Sequence, residues 1–469
     1  MNSVRGARGQ VGSAEPSRKI RRAPVPRVWA VRAIDIYALL IGNGLLILGM
    51  WIRHGNLREL ATPAGMLTAI GELCALYGTY LVLIQLVLMS RNPWLDQVFG
   101  QDRITDAHKW VGFTAIWLIV LHFVFTTTGF AMTLNSDLVG EFLTLLSSYP
   151  YVLWSFIAMV LFAVVGITSV RAARRRASYE TWYAIHLLTY LAIALAFFHQ
   201  IFVGVDFVTD PIATGYWIAL YLIAVGTLLV FRFGQPVANT WRHRFQVANV
   251  VAEGPGVVSI YVTGRDLDQL PARAGQWFRI RLLTAHGWFR AHPFSLSTAP
   301  NGRYLRFTVK ELGDHTGRMQ RIVPGTPVML EGPYGAFTGA ARTKARVLLI
   351  AGGIGITPLR ALLEEMPASR GNITLIYRAS HPEELVFRDE LEQLANLRGA
   401  TVHYLVGRRG SREMPSDPLE PRALRNLVPD LAQRDIYICG PAGMMQRVLE
   451  GLRRLRVPES QIHYERFAF

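Results

Sequence analysis

Cysteine is almost absent from this 469-residue chain, which holds only Cys74 and Cys439. Two thiols so far apart supply neither a disulfide framework nor the ligand set of a zinc site, so any redox chemistry must come from bound cofactors. Charge is scarce as well. Charged residues make up 17% of the chain against 51% hydrophobic, and acids are the rarer sign: 33 Asp and Glu against 49 Lys and Arg, a formal net charge of +16. Such an excess can mark a nucleic-acid binder. Here the cations stand beside apolar runs, as Arg18, Lys19, Arg21, Arg22 and Arg27, and again as Arg171, Arg174, Arg175 and Arg176. In those places they read as topology signals facing anionic lipid, and no nucleic-acid partner is expected. Residues 1–33 lack an apolar centre and carry one acid, Glu15. They read as a basic, disordered cytoplasmic tail without a cleavable signal, a transit peptide being the alternative.

What is plentiful is long apolar sequence, nearly all of it before about residue 235. Six stretches, 34–53, 66–89, 107–127, 150–170, 181–203 and 213–233, reach the roughly 20 helical residues that cross a bilayer core. Segments 128–149 and 204–212 contain no Lys or Arg, whereas the tail, 90–106 and 171–180 all carry Arg. Positive charge accumulates on the cytoplasmic side, so both termini are expected in the cytoplasm of a plasma-membrane protein. Arg53 and Arg58, in a loop that should lie outside, oppose this. The expected fold is multi-domain: an all-α six-helix transmembrane bundle over 34–235, then two domains of different texture. Short β-branched runs at Phe245–Val251, Val257–Thr263, Phe278–Leu283 and Tyr304–Val309, separated by Gly, Pro and Asp, predict a small antiparallel β-barrel over 242–340. From 341 to 469 the order strand, Gly-rich turn, helix predicts an α/β domain with a parallel sheet.

Four histidines fall inside the apolar stretches: His108 and His122 on the third, His186 and His199 on the fifth. An imidazole in hydrocarbon is costly and usually faces the bundle interior with a task. A 14-residue separation on the third span is about 21 Å along a helix and about 40° around it, so both rings share a face in opposite leaflets. On the fifth span 13 residues give a similar rise but about 140° of rotation, which needs helix distortion or sites approached from different sides. Both helices start on the cytoplasmic side, so His108 comes level with His186 and His122 with His199. Each level offers two imidazoles, the axial set for a six-coordinate haem that moves one electron. In these pairs the chain resembles the ferric reductase and NADPH oxidase superfamily. The resemblance implies two b-type haems, the inner held by His108 and His186 and the outer by His122 and His199.

Farther on, Ala291-His292-Pro293-Phe294-Ser295-Leu296-Ser297 supplies an aromatic ring, a rigid turn and hydroxyls for a flavin. Val309 to Gly317, with Lys310 and Thr316, offers a cation and a hydroxyl near a helix start, suited to a pyrophosphate. Both segments resemble the flavin motifs of ferredoxin reductases, which implies FAD contacted by His292, Pro293, Phe294, Ser295, Lys310 and Thr316. Gly332-Pro333-Tyr334-Gly335 resembles that family's turn between lobes. Ala351 to Pro358, with Gly352, Gly353, Gly355, Thr357 and Pro358, follows a strand and opens a helix, where glycines let backbone approach a pyrophosphate. It resembles the family's nicotinamide-nucleotide motif, as does Cys439-Gly440-Pro441. The resemblance puts Cys439 beside the nicotinamide and Phe469 over the flavin ring, both at the hydride-transfer step. Arg378 is the candidate partner for a 2′-phosphate, favouring NADPH with NADH as the alternative; Arg408 and Arg409 are its rivals.

The expected activity is electron transfer from cytoplasmic NAD(P)H through FAD and two haems to an acceptor outside, either oxygen, giving superoxide, or a ferric chelate. Two positions depart from the NADPH oxidase pattern. Thr126 stands where many such oxidases have an additional histidine, and Ala192 lies near where they have an aromatic between the haems. A second reading makes the chain an electron-supply subunit that reduces an extracytoplasmic redox protein docked on 128–149, a loop whose acidic pair Asp137 and Glu141 reads as solvated. A haem-based sensor would have no use for the nicotinamide and flavin module.

Overall fold

The computed structural model describes residues 33–170, 179–285, 287, 290–411, 414 and 416–465. The described chain forms two compact units that divide between Ala238 and Asn239.

The first unit contains six helices long and apolar enough to cross a membrane: Ala33–Arg53, Pro63–Met89, Gln101–Leu134, Val152–Ser169, Glu180–Val203 and Pro211–His243. The third is the surprise. At 34 residues it runs well past the predicted 107–127, because no proline interrupts it and Phe130, Ala131, Met132 and Leu134 extend the apolar run. It consumes part of the segment read as a docking loop, and most of the rest is a short apolar helix, Leu138–Ser148. Asp137 caps that helix by accepting hydrogen bonds from the Val139 and Gly140 amides. Glu141 is 3% exposed and accepts from Ser136 Oγ at 2.9 Å. Glu141 is therefore a buried structural acid and not a solvated one, whereas Asp137 stays exposed while it caps the helix. Outward-facing side chains such as Trp110, 74% exposed, are those that hydrocarbon would cover.

Helix packing is closest between the second and third spans, and small residues explain it. A Cβ added at Gly78 would stand 3.3 Å from Ile119, one at Gly71 2.6 Å from Thr126 Oγ1, and one at Gly129 2.3 Å from Thr68 Oγ1. Glycine at these positions lets the two backbones approach, as in small-residue packing between membrane helices. Asp210 caps the sixth span through the Ile212 amide and pairs with both Arg53 and His54. Arg53, the residue that opposed the charge rule, is thus neutralised locally.

The second unit has two lobes. Strands β1 (Gln246–Gly254), β2 (Val257–Thr263) and β5 (Leu305–Lys310) form one antiparallel sheet; β3 (Trp277–Leu282), β4 (His292–Ser295) and β6 (Val328–Tyr334) form another. The predicted barrel is instead two three-stranded sheets, joined at isolated bridges Gln246 to Pro327 and Leu296 to Phe307. Their inner faces share a core of Ile260, Val262, Phe278, Ile280, Phe307 and Leu330. Strand β4 was not foreseen: His292–Ser295 reads as a turn by its proline, yet an edge strand accepts proline, and β4 pairs only with β3 in its sheet.

In the other lobe β7 (Arg346–Gly352), β8 (Ile373–Ala379), β9 (Thr401–Val406), β10 (Arg434–Cys439) and β11 (Ile462–Glu465) make a parallel sheet in the order β11-β10-β7-β8-β9. Alternation along β7 sends Val347, Leu349 and Ala351 to one core and Leu348 and Ile350 to the other, as a sheet covered on both faces requires.

A buried ion cluster ties the lobes. Arg306, 2% exposed, makes a two-pronged contact with Glu390 at 2.8 and 3.0 Å, and Arg360 Nε reaches the same carboxylate at 2.9 Å. Burial pushes the Glu390 carboxyl up, but the two guanidiniums more than offset this and hold it below the usual glutamate range. A depressed folded value means stabilisation that is complete above the unfolded value, about 4.3, and lost as pH falls through the folded one. Glu390→Gln is expected to flatten the acid limb of the full chain's flavin-release temperature below about pH 4.3. An unchanged acid limb would show that the cluster does not govern lobe stability.

Candidate functional site

In the membrane unit the four histidines come together in the expected pairs. The rings of His108 and His186 lie 6.0 Å apart between centroids, 63° between planes. Two metal–imidazole bonds of about 2 Å each, plus the ring radius on either side, span about this distance. His199 lies within electrostatic reach of His122. Nδ1 of His108 and Nδ1 of His199 are buried without a hydrogen-bond partner, and such an orphaned ring nitrogen is the kind of group for which a native site needs an explanation. The donor set, neutral nitrogen ligands among apolar side chains, fits two bis-imidazole haems.

The second span positions the third. Gln85 Nε2 donates to the His108 carbonyl at 2.8 Å, and His122 Nδ1 donates to the Gly71 carbonyl at 3.0 Å. Gly71, Gly78 and Gln85 recur every seven residues, which keeps them on one helix face. The sequence reading missed these supports, although that spacing was visible.

In the reductase unit the Gly-rich turn lies at the carboxyl end of β7. Strand β8 flanks β7 on one side and β10 on the other, so the crevice at the ends of β7 and β10 is the topological switch point where open α/β sheets bind ligands. Gly352, Gly353, Gly355, Cys439 and Gly440 all meet there. A Cβ at Gly355 would stand 2.3 Å from the Cys439 carbonyl oxygen, and one at Gly352 2.6 Å from Met444 Sδ. Gly353 adopts φ +52°, the left-handed region that favours glycine. Thr357 Oγ1 donates to the Ile354 carbonyl at 3.0 Å, holding the turn closed, and Pro358 is buried in the first turn of helix Ile356–Glu365. Pro441 caps the helix after β10.

Cys439 is fully buried within the core cluster that includes Ala351 and Ile356. Burial, and secondarily the Glu465 carboxylate, push its thiol well above the ordinary range, so it is neutral at physiological pH. The guanidinium of Arg378 bonds the backbone carbonyls of Ala379, Leu405 and Gly407, so it braces the end of β9. Arg408 stands exposed beside His381, 3.3 Å away, and Arg409 faces Asp417 at 3.6 Å.

At the flavin side, His292, Pro293, Phe294 and Ser295 all lie on β4. Ser295 Oγ and Thr298 Oγ1 are buried with no hydrogen-bond partner, a pair of orphaned hydroxyls that fits a polar ring edge. Thr298 was not singled out from sequence. Lys310 ends β5. Thr316 Oγ1 accepts from the Leu312 amide at 2.9 Å and donates to the Gly313 carbonyl at 2.9 Å, so it shapes the turn after β5. Phe469 lies outside the described residues.

Paired imidazoles on two membrane spans, in one chain with a two-lobed module built around a nucleotide switch point, define a membrane oxidoreductase fed by a reductase domain. Three family descriptions match in chain order: ferric reductase like transmembrane component over 74–197, FAD-binding domain over 242–338 and oxidoreductase NAD-binding domain over 349–450. The chain belongs to the ferric reductase and NADPH oxidase superfamily, as a fusion of that membrane component with FAD- and NAD(P)H-binding domains. The membrane match contains His108, His122 and His186 and stops two residues short of His199.

The flavohemoprotein of Pseudomonas aeruginosa is 33% identical over 236 residues, 48% of this chain and 60% of its own length. Ferredoxin–NADP reductase B of Sorangium cellulosum is 32% identical over 211 residues, 41% of this chain and 84% of its own. The chain thus spans 60% of the flavohemoprotein's length. The crystal structure of the FAD/NAD binding domain of a nitric oxide dioxygenase from Vibrio cholerae matches at 26% identity with a TM-score of 0.38, covering 48% of this chain and 99% of that one.

Proposed function

We propose that this chain carries electrons from cytoplasmic NAD(P)H through FAD and two b-type haems across the plasma membrane to an extracytoplasmic acceptor. The observation that carries this reading is the facing of His108 and His186, 6.0 Å between ring centroids, with His122 and His199 as a second pair on the same two spans. FAD, when bound, takes two electrons from nicotinamide and releases them singly, and haem iron carries one at a time. The chain's own part is to hold these groups. Gly352, Gly353 and Gly355 let backbone approach the dinucleotide pyrophosphate at a helix start. His292 to Ser295 on β4, with Thr298, cradle the flavin, and Lys310 and Thr316 serve its phosphates. Cys439 acts from beneath the nicotinamide through its backbone and bulk, since its thiol is buried. Phe469 is assigned to the flavin face from the family resemblance.

NADPH is the favoured donor, with exposed Arg408 now the better candidate than Arg378 for its 2′-phosphate. Of the two acceptors we favour a ferric chelate over oxygen, because Thr126 and Ala192 both depart from the oxidase pattern. The reading as a supply subunit for an extracytoplasmic redox protein is weakened by the short apolar helix that fills 138–148.

An anaerobic reduced-minus-oxidised spectrum of the purified protein tests the proposal. NADPH should generate a b-type signal of two haems per chain, and ferric chelate should bleach it faster than oxygen does. A protein purified after haem supplementation that binds FAD but no haem would reduce the chain to a membrane-anchored flavin reductase.

A further inference from the structure

At the outer histidine pair the two rings are held unequally. His122 Nδ1 lies 3.0 Å from the Gly71 carbonyl oxygen and 3.2 Å from Thr126 Oγ1, whereas Nδ1 of His199 is buried without a partner. A carbonyl oxygen can only accept, so Nδ1 of His122 carries the ring proton and Nε2 keeps the lone pair. Thr126 lies one turn after His122 on the same helix, and its hydroxyl is the second acceptor for that N–H. The contact exists because position 71 is glycine: a Cβ there would stand 2.6 Å from Thr126 Oγ1 and 3.1 Å from the Thr126 amide nitrogen. The Gly71 carbonyl sits inside the second span and keeps a second lone pair for this use.

The geometry points to Thr126, together with the Gly71 carbonyl, as a positioning pair that fixes the tautomer of His122 and lowers the reduction potential of the outer haem. This rests on the bis-histidine reading above. A ligating imidazole whose distal N–H is hydrogen-bonded is a more basic ligand, and a more basic axial ligand favours the ferric over the ferrous state. At the inner pair His108 Nδ1 is buried and unpartnered, and His186 Nδ1 has only the longer 3.5 Å contact with Ser169 Oγ. The position that departs from the oxidase pattern thereby acquires a task of its own.

The test compares Thr126→Val, which keeps the shape and removes the hydroxyl, with Thr126→Ser, which keeps the hydroxyl. Full-length proteins are assayed for haem per chain and then titrated potentiometrically. The expected result is two haems in each, with one of two redox waves moved upward in Thr126→Val, the other unmoved, and both at parental positions in Thr126→Ser. Haem lost from the valine variant but retained by the serine one also supports the hydroxyl's role. Unmoved waves in Thr126→Val, or equal haem loss in both variants, overturn the inference and leave the bis-histidine reading standing. A parent protein without haem overturns that reading itself, and the Gly71 to His122 bond is then only a clasp between two helices.

Discussion

A His186→Leu variant is expected to carry one haem where two are proposed for the parent, and to deliver electrons to an outside acceptor more than a hundredfold more slowly. Leucine is apolar and of similar bulk, so the fifth span should still insert and pack. What is lost is one of the two imidazoles at the inner level. Loss of an outer-shell partner alone costs about 10–100-fold in metal affinity, and loss of a ligand must exceed that. The reductase unit has its own cores, so flavin reduction by NAD(P)H should keep its parental rate. His199→Leu should give the complementary result, removing the other spectral component. Haem quantitation with a stopped-flow record of flavin bleaching checks both halves; two haems retained in His186→Leu would remove the inner ligand assignment.

The histidine pairing was legible because a 14-residue interval on a helix means one face and two depths. The same arithmetic gave an obstacle at the fifth span, and there only the three-dimensional arrangement could help, since the face a helix turns to its neighbours is not written in its own spacing. The supports were half legible. His108, Ala115, His122 and Gly129 recur every seven residues, and Ala115 and Gly129 are buried, so the stripe could have been read as a packing seam. That Gly71 aims its carbonyl at His122 could not, because 51 residues separate them. Arg306 and Glu390, 84 residues apart, were hidden for the same reason. Glu141 was misread since an acid in a loop is usually wet, and its burial depends on a hydroxyl, Ser136, that only local folding brings near. In the reductase unit the strand and glycine pattern carried the fold, while the role of Arg378 did not follow from its position at a strand end: three carbonyls claim its guanidinium.

Gly355→Ala should separate the nucleotide site from everything downstream. An added Cβ would meet the Cys439 carbonyl oxygen at 2.3 Å, its carbon at 2.5 Å and the Gly440 amide nitrogen at 2.7 Å. All three are backbone atoms at the end of a buried strand, so the turn or β10 must shift. Overpacking of this kind costs about 1–3 kcal/mol, and each 1.4 kcal/mol is about tenfold in an equilibrium. Reduction of the flavin by NADPH is therefore expected to fall by about tenfold to a hundredfold. Dithionite should still reduce the haems, and their content should match the parent, because the membrane histidines belong to the other unit. Gly353→Ala is the informative contrast. Nothing lies within 4 Å of a Cβ at Gly353, so only its left-handed φ opposes substitution, at roughly 1–2 kcal/mol, and Gly353→Asn should lose less still, since asparagine tolerates that region. If Gly355→Ala reduced its flavin at the parental rate, the crevice between β7 and β10 would not be where the nicotinamide nucleotide binds.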